Sequence, residues 1–394
     1  MVRQLWEQNT DIVLVDTGNS YEGLCDYVNG KYISYTEEHP ITMNPFAIKR
    51  EELNIEKIGF LKNLVMLIWK GTNGKITKTE DHLIEDVITE YYDAYFRKRQ
   101  VKELSFNTFY EYSTQRIPEI VKDNNLEGID LATYNYLLKD FYKGGNHELT
   151  LNENLDTALF DETFIVFEID SIKDDPLLFP LVTLIIMDVF IQKMRIKKNR
   201  KVLVIEEAWK AIASPMMAEY IKYLYKTARK FWASVGVVTQ EIQDIVGSPI
   251  VKEAIINNSD VIMLLDQSKF KERFDEIKAI LGLTEVDCRK IFTINRLENK
   301  EGRSFFREVF IRRGQNAAVF GVEEPHECYM TYTTERAEKE ALKLYKRELK
   351  CSHQQAIEAY CRDWDRSGIS KSLPFAQKVN QAGHVLNLPL KQKP

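Results

Sequence analysis

The hydrophobic positions of this chain fall into two patterns. Short runs rich in Val, Ile and Phe are apolar almost throughout instead of at every second residue: Asp11 to Asp16 (DIVLVD), Phe164 to Ile169 (FIVFEI), Val202 to Glu206 (VLVIE), Ser234 to Thr239 (SVGVVT) and Val261 to Leu265 (VIMLL). Runs of this length and character read as strands buried on both faces. Between the last four lie stretches with helical spacing, Leu177 to Lys197, Met216 to Trp232 and Pro249 to Asn257. Alternation of strand and helix predicts a parallel sheet with helices on both sides, so the centre of the chain is expected to be a doubly wound α/β domain.

Two regions depart from that alternation. From about Lys49 to Phe141 the apolar positions recur at helical spacing, as in Ile58, Leu61, Leu64, Val65 and Ile68, then Leu83, Val87, Ile88 and Tyr91. This predicts an all-α subdomain inserted between the first and second strands. Phe305 to Arg312 and Ala317 to Val322 read as two further strands with Arg313 to Asn316 as the turn, which would pair them antiparallel. Helices over Thr334 to Lys350 and Ser352 to Asp365 follow, and Ser367 to Pro394, with Pro374, Pro389 and Pro394, reads as a loosely held tail. The expected division is 1–48 for the start of the α/β core, 49–150 for the helical insertion, 151–333 for the rest of the core and 334–394 for terminal helices and tail. No internal repeat is present.

Composition narrows the class. A chain of 394 residues supports about two to three domains and can bury its apolar surface without disulfide or metal staples. Its net charge of −5 argues against a surface that is basic overall, though not against a local basic patch. Leu178 to Ile191, the longest apolar stretch, is broken by Pro180, Thr183 and Asp188 and is too short to span a bilayer. Met1 to Thr10 has no apolar core or small-residue cleavage site of a signal peptide. The five cysteines are scattered and never spaced C-x-x-C, which suits reduced cytoplasmic thiols, and the six histidines show no close metal-ligand spacing.

The chemistry concentrates in Lys201 to Ala211, KVLVIEEAWKA. Four apolar strand residues followed by two carboxylates is the Walker B pattern of nucleotide hydrolases. A parallel strand delivers its last side chains to the carboxyl edge of the sheet, where ligands bind in open α/β folds. There Glu206 can hold Mg²⁺, usually through water, and Glu207 can orient and deprotonate the water that attacks the γ-phosphate of ATP. The same pattern also describes a buried strand running into a solvated loop. The next strand ends in Thr239 and Gln240, so the Gln240 amide falls on the same edge, either as a γ-phosphate sensor or as part of a polar pair capping the helix after it. Between the two strands, Lys222, Lys226 and Arg229 share one helix face, with Lys230 beside them: a solvated charged face, or a source of cations that reach a neighbouring subunit's nucleotide. Asp16, at the end of the first strand, either touches nucleotide or caps the turn at Thr17 and Gly18.

The order VLVIEEAW, TARK, VGVVTQEIQD and then a strand preceded by NNSD resembles the RecA-like ATPases that energise type IV secretion and conjugation. Within them it is most similar to the TraG family of conjugative-transposon ATPases, which DIVLVDTGNSYEGLC, ITMNPFAI and VFGVEEPHE also resemble. The resemblance implies a RecA-like, mostly parallel sheet flanked by helices, with ATP and Mg²⁺ as cofactors. Carried over by position, it implies Glu206 as the Mg²⁺ carboxylate, Glu207 as catalytic base, Gln240 as sensor, and Arg229 with Lys230 as an intersubunit finger. Glu206 stands where the family commonly has Asp, so the geometry of its metal contact would differ.

No G-x-x-x-x-G-K-[ST] phosphate loop occurs; Lys70 to Lys78 (KGTNGKITK) has Ile76 where Ser or Thr must stand, and Gly30 and Lys31 are followed by Tyr32. In the family this loop opens a helix leading into the strand matched by Asp11 to Asp16, and Met1 to Gln8 resembles the end of that helix. The chain is therefore expected to be the carboxyl-terminal part of a longer ATPase and to hydrolyse ATP negligibly by itself. The intact protein is expected to be a hexameric motor, peripheral to the cytoplasmic face of the bacterial cell membrane and contacting type IV secretion channel subunits. Two other readings stand beside this one. One is a DNA-translocating coupling protein, favoured by the basic run Lys193, Arg195, Lys197, Lys198, Arg200 and Lys201, whose alternative is a solvated loop. The other is a non-catalytic interaction module of the secretion apparatus.

Overall fold

The computed structural model describes residues 1–153, 157–207, 215–239, 255–296 and 306–386. The chain forms two compact units, Met1–Thr17 with Ile33–Ile255, and Gly18–Tyr32 with Ile256–Pro394.

In the first unit α1 (Val2–Glu7) leads into β1 (Thr10–Asp16). With β2 (Lys31–Ser34), β3 (Phe164–Glu168), β4 (Arg200–Ile205) and β5 (Ala233–Val237) it builds a five-stranded sheet of order β2-β3-β1-β4-β5. β1 is paired in parallel on both sides, Ile12 lying opposite Phe164 of β3 and Val202 of β4. β4 is parallel to β5, from Lys201 opposite Ala233 to Ile205 opposite Val237. All of β1 and β3, and β4 beyond Arg200, are buried, as their continuous apolar runs require: strands covered on both faces have no polar side to present. The short, half-exposed edge strand β2, with the polar-flanked sequence KYIS, was not foreseen from the pattern.

Between β2 and β3 run α3 (Ile55–Lys70), α4 (Lys78–Phe96), α5 (Phe106–Asp123), α6 (Leu131–Leu138) and α7 (Glu148–Asn152). Leu61, Leu64, Val65, Ile68, Leu83, Val87, Ile88 and Tyr91 all turn inward, into a core shared with the sheet and with α8 (Leu178–Ile196). Because α8 is buried around nearly its whole circumference, its one acid, Asp188, needs a counter-charge. Lys57 of α3 supplies it at 2.7 Å, equally out of solvent. After β4, α9 (Pro215–Ala228) and a 3₁₀ turn (Arg229–Phe231) return the chain to β5. Among the described residues no helix is long and apolar enough to cross a membrane.

The second unit corrects one expectation. β6 (Val261–Leu264) does not extend the parallel sheet; it joins β7 (Phe306–Arg313) and β8 (Asn316–Glu323) in an antiparallel sheet of order β6-β7-β8. Val261 and Met263 are open to solvent, so this apolar run is not buried on both faces. An uninterrupted apolar sequence does not by itself say that both sides are covered. The β7–β8 hairpin closes as expected, with Gly314 at φ 57° as the first of its two turn residues, a conformation glycine adopts without strain. The predicted helix Pro249 to Asn257 lies largely outside the described residues.

Helices α10 (Phe274–Leu281) and α11 (Glu285–Ile291) precede the hairpin. After it, α12 (His326–Tyr332), α13 (Arg336–Leu349), α14 (His353–Ser367) and α15 (Ser372–Ala382) enclose a core of Tyr345, Tyr360, Trp364 and Phe375. α2 (Glu22–Tyr27) packs on α12 so closely that a side chain on Gly23 would meet the Thr331 carbonyl at 2.7 Å. The expected loose tail is thus, up to Leu386, packed structure. Phe375, Ala376 and Val379 form a compact apolar stripe, and Pro374 sits in the first turn of α15, where it costs no hydrogen bond.

Candidate functional site

Parallel pairing aligns the ends of four strands at one edge of the sheet. Asp16 of β1 lies opposite Glu168 of β3, the Ile169 N–H donates to the Asp16 carbonyl at 3.0 Å, and the Glu206 N–H donates to the Val15 carbonyl at 3.0 Å. The Val238 N–H donates to the Ile205 carbonyl at 2.9 Å, which places Thr239 on this edge too. Asp16, Glu206 and Glu207 are therefore gathered at the carboxyl edge, where strand polarity placed the two glutamates and where Asp16 joins them. Gln240 lies outside the described residues.

The acids differ in exposure. Asp16 and Glu168 are buried, at 0% and 3%, whereas Glu206 and Glu207 are half-buried. Glu207 has φ 48°, in the left-handed region. A non-glycine side chain pays about 1 kcal/mol or more there, so the sharp turn off β4 is held by its surroundings. Glu168 is a residue the sequence reading missed. β3 ends FIVFE just as β4 runs through LVI into Glu206, and that shared pattern was the available signal. Its carboxylate accepts the Asp170 N–H at 2.8 Å, tying the following turn to the same edge.

Arg229 and Lys230 stand elsewhere. Both are exposed in the turn that precedes β5, at the amino edge of the sheet. At about 3.3 Å per residue, the run from Lys201 to Glu206 separates the two edges by roughly 17 Å. One chain does not bring its own Arg229 to its own Glu207. The turn is firmly held: the Lys201 N–H donates to the Trp232 carbonyl at 3.0 Å, and the Lys201 ammonium to the Phe231 carbonyl at 3.2 Å. Trp232 follows at φ 56° and is 69% exposed.

The basic run before β4 is not one solvated stripe. Lys193 and Lys201 are buried, at 0% and 1%. The Lys193 ammonium faces the Asp11 carboxylate at 3.0 Å and donates to the Phe160 carbonyl at 3.0 Å and to that of Glu162. Burial holds both ammonium groups below the ordinary lysine range, with Asp11 opposing the shift. Arg195 pairs with Glu56 and Lys197 with Asp161. Only Lys198 and Arg200 of the run are exposed and without an ion-pair partner among the described residues.

Among the described residues no three His, Cys, Asp or Glu side chains converge as a ready-made metal cage. Mg²⁺ at a phosphate site characteristically takes one or two carboxylates and fills its remaining positions with water and phosphate oxygens. The hard oxygens of Glu206, beside Asp16, are a donor set of that kind.

The parallel sheet flanked by helices, with its strand order changing around β1, is the fold of the RecA-like P-loop ATPases. The chain belongs to the TraG P-loop domain family, whose model matches residues 1–364. This is a family of P-loop ATPases of type IV secretion and conjugation. Protein TraC of Escherichia coli (strain K12) is 22% identical over 288 residues, covering 70% of this chain and 31% of TraC, so the chain spans about a third of that relative's length. Among solved structures, VirB4 of Thermoanaerobacter pseudethanolicus has a TM-score of 0.59 at 20% identity, over 82% of this chain and 84% of that one. The bacterial conjugative coupling protein TrwB, in complex with sulphate, has a TM-score of 0.50 at 11% identity, over 82% and 79%. At such identities these two likenesses show the fold.

Proposed function

We propose that these residues form the hydrolytic half of an ATPase site that powers type IV secretion, with Glu206 holding Mg²⁺ through water and Glu207 activating the attacking water. The observation that carries this is the pair Glu206–Glu207 at the carboxyl edge, half-buried, with the second in a left-handed turn off β4. Bound there, Mg²⁺ would neutralise charge on the ATP phosphates. Asp16 supports the metal side of the site, and Gln240, two residues beyond Val238, senses the γ-phosphate. Because the sequence holds no phosphate loop, the 394-residue chain alone is a poor hydrolase.

Arg229 and Lys230, held at the far edge by Lys201, serve a neighbouring copy in a ring, a hexamer by family resemblance, at the cytoplasmic face of the membrane. The test joins a phosphate-loop segment ahead of Met1 and measures ATP turnover. Glu207→Gln should abolish turnover and retain nucleotide binding. Mixing Glu207→Gln subunits with Arg229→Ala/Lys230→Ala subunits should restore part of the activity, because one of the two kinds of mixed interface pairs an intact base with an intact finger, while the other lacks both. Turnover by Glu207→Gln, or no rescue on mixing, would remove the corresponding role.

A second reading, direct nucleic-acid contact, is favoured by Lys198, Arg200, Arg229 and Lys230 beside the exposed Trp232: cations next to a stacking platform, on adjacent loops. Affinity for a single-stranded oligonucleotide should then fall steeply with salt and drop in Trp232→Ala. A flat salt response would leave the ATPase reading alone.

A further inference from the structure

We propose that a pocket between α3, α8 and α9, far from the strand-end acids, binds a small uncharged aromatic molecule carrying a hydrogen-bond acceptor. The pocket measures about 280 Å³. A dry cavity of about 150 Å³ already admits benzene, so this one has room for a ring and a polar substituent. Its walls are apolar and aromatic, with Phe60 and Tyr220 centroids 5.8 Å apart and Tyr220 and Tyr223 centroids 6.1 Å apart.

Polar capacity is left over inside it. The Lys57 ammonium, only 7% exposed, spends one N–H on Asp188 at 2.7 Å and lies 4.6 Å from the Phe60 ring centroid. Its other two N–H groups have no acceptor among the described residues, nor do the Tyr220 hydroxyl and the Asn63 amide have partners there. Water in the open pocket satisfies such donors, and a ligand oxygen placed beside Lys57 takes the place of that water while the ring covers the apolar walls. The pocket's charges cancel in two pairs, Lys57 with Asp188 and Arg195 with Glu56, so it selects a neutral guest. Tyr220 and Tyr223 belong to α9, the helix that ends at Ala228 and runs straight into the amino-edge turn of Arg229–Phe231, so an occupant also bears on that turn.

The test titrates the 394-residue chain with benzamide, which has the acceptor, and with toluene, which lacks it, by saturation-transfer NMR. Benzamide should bind about tenfold more tightly, the worth of roughly one hydrogen bond. Gly59→Leu should remove binding of both without lowering the melting temperature, because Gly59 lines the pocket and nothing lies within 4 Å of a Cβ built there. Lys57→Met combined with Asp188→Leu removes both charges together, and should bring the two affinities level while the fold persists. Equal affinities in the unmodified chain, no saturable benzamide binding, or undiminished binding by Gly59→Leu would each overturn the proposal.

Discussion

The ammonium of Lys193, from the last turns of α8, sits 3.0 Å from the carboxylate of Asp11 at the foot of β1, and both side chains are out of solvent. Its remaining N–H groups hold two carbonyls of the segment leading into β3. One side chain thus ties α8, β1 and the approach to β3. Lys193→Met leaves the buried Asp11 carboxylate with the Asn199 amide at 2.6 Å but without its counter-charge, and should cost about 3–5 kcal/mol in urea unfolding. Adding Asp11→Asn should recover part of the loss; a double variant as weak as the single one would show that the pair is not the source.

Acid should loosen the helical part of the first unit through Glu80. Burial alone would raise its carboxyl, but the Lys70 ammonium and the N–H and hydroxyl of Thr77 outweigh burial and hold it below the ordinary value of 4.5. A carboxyl depressed in the folded state contributes stability above its unfolded pKa and loses it as pH falls through the folded one. The urea midpoint should therefore drop as pH falls below about 4.5, and Glu80→Gln should flatten that dependence. An unchanged pH profile in Glu80→Gln would count against this account.

At Glu207 stability and chemistry are expected to part. Glycine meets no Cβ penalty at φ 48°, whereas alanine keeps it, so Glu207→Gly should be more stable than Glu207→Ala by about 1 kcal/mol. Both lack the carboxylate, and neither should support turnover in the hydrolysis-competent protein. Equal melting temperatures for the two would mean that the turn relaxes when the side chain is lost.

In the second unit Phe375 packs edge-on against Tyr360 at 5.0 Å and is fully buried. Phe375→Ala should cost about 3–5 kcal/mol and unfold the terminal helices at lower temperature, followed by the fluorescence of buried Trp364. A negligible shift would return α15 to the status of a loose tail.

These contrasts locate what the sequence could and could not disclose. β1, β3 and β4 were legible because two-sided burial demands the unbroken apolar runs they carry. β6 carries a similar run, yet leaves Val261 and Met263 in solvent, and nothing local distinguishes the cases. Strand polarity alone put Glu206 and Glu207 on the carboxyl edge, whereas the company of Asp16 there follows from the pairing of β1 with β4. The fate of Lys193 and Lys201 was hidden, because their partners Asp11, Phe160 and Phe231 become neighbours only when the sheet assembles. α15 was masked by its prolines and polar residues, although three apolar positions suffice to dock it.

The position of β1 in the middle of its sheet also sets the order in which the protein can be made. Ile12 must find Phe164 and then Val202, with α3 to α7 synthesised in between. At about 5–20 residues per second, the ribosome leaves β1 waiting roughly 10–30 s with both hydrogen-bonding edges open. Such distant pairing slows folding and exposes an apolar strand to wrong partners. A growing chain of this kind carries its central strand unpaired before it has any site at all.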